Sequence, residues 1–257
     1  MKYDWHGYGN KLVYWEQAVM KSDFSDKNKQ AILDFEKYLL TSGLSKPRIV
    51  KYLEILRSTA RVIKKDFEML AKQDVLDFVS IIEQRDYSEY TKNAYKIILK
   101  KFFQWLRKCE DKEYPVEVKW IKANVRKDRC KLLSEGDLLR EGDIQKLLDQ
   151  AHNLRDKAFV SCLWESGCRI GELTTVRIKD VFFDEYGCIF NVTGKTGSRK
   201  IRVINSSPYL ANWLSVHPVK DDRNNFVWVN CQGKKRGLIL RYGAVYKILS
   251  ELFKSAG

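Results

Sequence analysis

No apolar run in this 257-residue sequence approaches the length of a membrane span. The start, Met1 to Tyr8, has no hydrophobic signal segment either. These absences predict a cytoplasmic protein. Histidine is rare, with 3 copies at His6, His152 and His217, and the 6 cysteines form no Cys-x-x-Cys pair. A zinc site is therefore not expected, and Cys109, Cys130, Cys162, Cys168, Cys188 and Cys231 read as reduced, mostly buried thiols. No Gly-x-x-x-x-Gly-Lys-Ser/Thr loop occurs, so nucleotide hydrolysis has no support. Acids vanish locally: none lies between Tyr186 and Lys220, and none between Asn230 and Ser250.

What is present is basic. The net charge is +14 and the pI about 9.4, values that suit a nucleic-acid binder. The charge is spread along the chain rather than gathered on one amphipathic helix, which argues against a membrane-surface role. Hydrophobic residues make up 44% of the chain, enough for a sizeable core in two modest domains.

Residues 1–25 carry Tyr3, Trp5, Tyr8, Tyr14 and Trp15 and read as an arm followed by one helix. Residues 26–109 are helical throughout. Asp26 opens a helix ending at Gly43. Ser45 caps the next, with Pro47 in its first turn, Ile49, Leu53, Leu56 and Ile63 inward, and Arg48, Lys51 and Arg57 outward. Leu70 to Ile82 gives a third helix. Ser88 opens a fourth, with Tyr95, Ile98, Leu99, Phe102 and Leu106 inward and a basic stripe of Lys92, Lys96 and Lys100 at i, i+4, i+8. Between 110 and 133 the apolar period is lost, while Lys119, Lys122, Arg126, Lys127, Arg129 and Lys131 accumulate around Pro115; this span reads as a basic linker. A second domain runs over 134–257. It starts with a helix through Ala151, has a later one at Pro208 and a short strand from Phe226 to Val229, and ends with a helix from Arg241 to Phe253.

The second domain is organised around Glu165-Ser-Gly-Cys-Arg169-Ile-Gly-Glu172-Leu. Leu154, Ala158, Phe159, Cys162 and Leu163 recur at helical spacing before it, and Gly167 is a natural helix stop. Ile170, Leu173 and Val176 then suggest a second short helix. Arg169 thus falls in the corner between two helices. There it is either a rigid fork for two phosphate oxygens, braced by Glu172, or one half of a structural ion pair. Three short strands follow: Asp180–Glu185, Cys188–Thr193 and Arg199–Ile204. Lys195 sits in the Gly194–Ser198 turn of an acid-free hairpin that also bears Arg199, Lys200 and Arg202.

The corner Ser-Gly-Cys-Arg-Ile-Gly-Glu-Leu, the three strands and the run Gly-Lys-Thr-Gly-Ser-Arg-Lys-Ile-Arg-Val together resemble the catalytic domain of the tyrosine recombinases, the phage-integrase family, in the manner of archaeal plasmid and virus integrases. The resemblance implies a mainly α fold with a small antiparallel sheet. An N-terminal helical, SAM-like core-binding domain precedes an α+β catalytic domain, and a linker lets the two close around duplex DNA as a clamp. It implies transfer of a phosphoryl group to a tyrosine, with no metal or other cofactor. Arg169 then clamps the phosphate, Lys195 is the general acid with Lys200 its substitute, and Glu172 is a buttress. Lys46, Arg48, Lys51, Thr91, Lys92, Lys96 and Lys100, with Lys200, Arg202, Arg241 and Tyr242, lie toward DNA.

The family also needs a His-x-x-Arg box after the first arginine, and a tyrosine nucleophile. His152-Asn-Leu-Arg155 fits the letters but precedes Arg169, and Tyr242 and Tyr246 come too early for the nucleophile. The resemblance therefore implies a catalytic domain lacking its C-terminal part, which would also carry self-association into dimers or tetramers. The alternative is a non-catalytic duplex-DNA-binding protein that regulates access to recombination sites. An RNA-binding protein is a weaker reading, because no aromatic stacking motif of the RRM type is present.

Overall fold

A computed structural model describes residues 4–130, 134–194 and 197–257. They form two compact units: residues 7–132, and residues 133–257 joined by the first six residues of the chain. The chain therefore starts in one unit, passes to the other at residue 7 and returns near residue 132.

The first unit is helical. Its elements are α1 (Tyr8–Met20), α2 (Asp26–Thr41), α3 (Lys46–Ile63), α4 (Lys72–Gln84), α5 (Glu89–Leu106) and the one-turn α6 (Val116–Lys119). Side-chain caps begin two of them: Ser25 Oγ accepts the Asn28 amide at 3.3 Å, and Ser88 Oγ accepts the Thr91 amide at 3.2 Å. The core is aromatic, with Phe102 edge-on to Phe35 at 5.2 Å and to Phe67 at 4.8 Å. Buried Asn28 bonds the chain between α3 and α4, donating to the Lys65 carbonyl at 2.9 Å and accepting from the Phe67 amide at 2.7 Å.

α1 packs against α3, while the residues before it join the other unit. Two sequence expectations change here. The first half of the expected linker is core: Val118 and Ile121 are fully buried among the helices. A single helical turn is too short for its periodicity to stand out. Arg57 does not face water either; its Nε donates to the Ala18 carbonyl at 3.0 Å and to Ser22 Oγ at 2.9 Å, tying α3 to α1.

The second unit contains α7 (Glu141–Gln150), α8 (Leu154–Ser166), α9 (Ile170–Thr174), strands β1 (Val181–Asp184), β2 (Gly187–Gly194) and β3 (Gly197–Val203), then α10 (Ser207–Ser215) and α11 (Tyr242–Ala256). The strands form an antiparallel sheet in the order β1-β2-β3. Along β2 the period is two, with Cys188, Phe190 and Val192 buried against Phe159, Trp213 and Trp228. Val227–Val229 is buried, with Phe226 partly so, but the segment adds no strand to this sheet; it makes isolated bridges, Arg177 with Phe226 and Val229 with Ile239. All-apolar runs of this length mark burial, and their pairing depends on what lies beside them. All six cysteines are free thiols. No helix among the described residues is long and apolar enough to cross a membrane.

Candidate functional site

The site begins where α8 stops. Gly167 takes the left-handed conformation at φ 57°, which suits glycine at a helix end. Cys168 is buried, and Arg169 is extended at the start of α9. The next turn brings Glu172 back beneath it. Glu172 accepts the Arg169 backbone amide at 3.2 Å through Oε2 and the Arg169 guanidinium at 2.8 Å through Oε1. The Glu172 side chain is 4% exposed and that of Arg169 66%, so the carboxylate is the fixed part and the guanidinium faces outward.

A second guanidinium joins from the sheet. Arg199 Nη2 donates to Glu172 Oε2 at 2.9 Å, with 42% of its side chain exposed. The Arg199 hydrogen bond, followed by those from Arg169, holds the Glu172 carboxyl down to about 2 against the opposing effect of burial. The group is one carboxylate shared by two arginines, with a net charge of +1. Each fork keeps donors that face solvent, and those donors suit an oxyanion bearing several acceptor oxygens.

Gly194, at the end of β2, lies against the same carboxylate. It pairs with Gly197 across the tip of the hairpin. Lys195, expected as the acid, lies outside the described residues. Lys200 is exposed on β3 opposite Asn191. Arg202 is engaged within the sheet, where its two terminal nitrogens grip Asp184 at 2.6 and 2.7 Å. Arg241 precedes α11 and is exposed, as is Tyr242. The letters His152-x-x-Arg155 serve the fold, since Arg155 is held by Asp156 at 2.7 Å and donates to the Val229 carbonyl at 3.2 Å.

In the helical unit, Lys46 and Arg48 are exposed and Lys51 pairs with Glu54 at 3.6 Å. Thr91 Oγ1 lies 3.0 Å from Ser88 Oγ. The lysine stripe of α5 is not a solvated face. Lys92 pairs with Glu89 at 3.7 Å, Lys96 pairs with Glu83, and Lys100 donates to the Ile121 carbonyl at 3.2 Å while covering the Tyr114 ring at 4.2 Å. Sequence spacing placed the three lysines on one face; Glu89 of the same helix pairs Lys92, and tertiary contacts gave Lys96 and Lys100 their partners.

Comparison with known proteins places this geometry. The pattern of the phage integrase family matches residues 137–257, the stretch that holds the Arg169–Glu172–Arg199 group and its hairpin. Residues 137–257 form a phage integrase family domain. The chain is 28% identical over 174 residues to the tyrosine recombinase XerA of Pyrococcus horikoshii, an alignment covering 68% of the chain and 55% of XerA. The match thus spans about half the length of that recombinase. Its fold is also that of two solved structures. Lambda integrase residues 75–356, a dimer bound to a COC' core site, has a TM-score of 0.65 at 14% identity, covering 89% of this chain and 81% of that one. The XerH site-specific recombinase, bound to a palindromic difH substrate in a post-cleavage complex, has a TM-score of 0.61 at 18% identity, covering 98% and 78%.

Two members of this site are not singled out by the sequence. Arg199 was visible as one of several basic residues of an acid-free hairpin, and nothing in the spacing separated it from Lys200 or Arg202. Gly194 read only as a turn residue.

Proposed function

We propose that this chain is the DNA-gripping and phosphate-clamping part of a site-specific recombinase that cuts and rejoins strands through a 3′-phosphotyrosine. Arg169 and Arg199 bind the non-bridging oxygens of the scissile phosphate and stabilise the charge that builds on them in the transition state. Glu172 holds both arginines and touches no substrate. A tyrosine oxygen attacks phosphorus, the bond from phosphorus to the 5′ oxygen breaks, and Lys195 gives that oxygen its proton. A 5′-hydroxyl then reverses the step on a second strand. The nucleophile is neither Tyr242 nor Tyr246 and is not among these 257 residues. Lys46 and Arg48 of the helical unit contact backbone phosphates, and copies of the protein assemble on DNA.

The observation that carries this reading is the pair of outward-facing guanidiniums fixed on one buried carboxylate. A lone ion pair would have satisfied Glu172. Two arginines leave an excess of positive charge and spare donors at one point of the surface, as an in-line phosphoryl transfer needs.

The test is binding and cleavage in sequence. Affinity for duplex DNA should fall with salt at a log–log slope of about −5 or steeper, since each neutralised phosphate contributes about −0.9. A nearly flat slope refutes the grip. On a nicked suicide substrate, residues 1–257 should give no covalent protein–DNA band in a denaturing gel. A version extended by its natural downstream sequence should give one that Arg169→Ala abolishes. A band from residues 1–257 would instead make Tyr242 or Tyr246 the nucleophile. Binding without cleavage even in the extended form would favour the non-catalytic regulator.

A further inference from the structure

Trp5 and His6 are built into the second unit beside the Arg169 corner. Trp5 is 5% exposed. Its indole Nε1 donates to the Leu240 carbonyl at 2.6 Å. The ring lies on Gly171, where a Cβ would stand 3.3 Å from Trp5 Cζ3 and 3.4 Å from Cε3. Its edge meets Tyr242 at 5.5 Å, and the neighbouring His6 ring lies 5.1 Å from the same tyrosine.

These contacts fall on two short pieces of chain that carry arginines. Gly171 is two residues after Arg169, in a helix of 5 residues. A helix of little more than one turn is not held by its own hydrogen bonds and depends on what packs against it. Leu240 immediately precedes Arg241, which begins α11. Leu240 is in turn anchored by its amide to the Trp228 carbonyl at 2.8 Å, in the middle of the core. One indole therefore packs on the Arg169 helix and bonds to the residue before Arg241. Glycine at 171 is what lets the ring approach the helix backbone.

We propose that Trp5 is a positioning residue: the amino-terminal segment fixes the Arg169 helix against the start of α11, and so sets the aim of the phosphate-binding guanidiniums. It acts through Arg169 and does not itself touch DNA. The effect on DNA rests on the function proposed above; the effect on the fold of the corner does not.

The experiment has one arm for each. Hydrogen exchange is compared in the 257-residue chain and in Trp5→Ala, with Trp5→Phe as the variant that keeps a ring but loses the donor. Trp5→Ala should speed exchange by about tenfold or more at 170–174 and 242–246 while leaving 188–192 in β2 unchanged, because a local anchor opens locally. Trp5→Phe should restore protection at 170–174 and leave 242–246 fast. Uniform acceleration, or none, overturns the proposal. In the second arm, duplex affinity is measured for Trp5→Ala alone and in an Arg169→Ala background. Weakening of about threefold or more in the first, and none in the second, is expected of a residue that works through Arg169. Equal weakening in both backgrounds overturns it. If the unaltered chain binds no duplex at all, the function proposed above fails and the exchange comparison alone decides the role of Trp5.

Discussion

Glu172 and Gly194 are so close that no side chain fits between them: a Cβ on Gly194 would stand 1.9 Å from Glu172 Oε1 and 2.8 Å from its carboxyl carbon. The end of β2 is thereby seated on the carboxylate that holds both arginines. Glu172 has no room to retreat, because Arg169 and Arg199 bind it at 2.8 and 2.9 Å. Gly194→Ala must displace either the hairpin or the carboxylate. Thermal unfolding should show a loss of about 1–3 kcal/mol, the usual cost of forcing extra volume into a packed place. An unchanged melting temperature would mean that the hairpin base moves freely away from Glu172.

The shared carboxylate also sets a pH dependence. The folded-state value for Glu172 is about 2, below its ordinary 4.5. A depressed acid contributes stability that is complete above its unfolded value and is lost as pH falls through its folded value. Stability should therefore decline between about pH 4.5 and pH 2, and Glu172→Gln should flatten the decline in that window. Denaturant titrations at several pH values read the difference. Parallel curves for the two proteins would remove Glu172 as its source.

Arg199 is expected to count as much as Arg169 toward DNA. Arg199→Ala should weaken duplex binding and lower the salt slope by about 0.9, the share of a single phosphate contact. Arg202→Ala serves as the control: Arg202 forms a neutral one-to-one pair with Asp184, whereas Arg199 shares Glu172 with Arg169, so loss of Arg202 should leave the slope unchanged. The measurement is fluorescence anisotropy over a salt series. Equal effects of the two substitutions would deny Arg199 a special place.

The helical unit separates grip from stability. Lys46 and Arg48 are exposed, so replacing both with Ala should weaken binding to all duplex sequences without moving the melting temperature. Lys92 and Lys96 are 13% exposed and paired with Glu89 and Glu83. Replacing these two leaves half-buried carboxylates without their partners, at a cost of about 1–3 kcal/mol each. Calorimetry should show a melting temperature lower by several degrees. Unaltered stability together with lost binding would return the stripe to the DNA face.

Local signals were enough for much of this protein. Gly167 as a stop, Ser88 as a cap, the period of two along β2 and the three-residue spacing after Arg169 are statements about neighbours in sequence, and neighbours in sequence decide helix ends and strand faces. Arg169 and Glu172 lie three residues apart, so one helical turn was enough to bring them together. Tertiary structure decided the rest. Arg199 reaches Glu172 from 27 residues away, and Trp5 reaches Leu240 from 235 away. Lys96, arranged as if for solvent, received in Glu83 of α4 a carboxylate partner that α5's own period could not assign. A lysine or arginine looks the same in sequence whether its charge faces water, an acid or a phosphate. Only the folded chain fixes which groups stand within hydrogen-bond reach, because that choice depends on packing between segments that no local pattern relates.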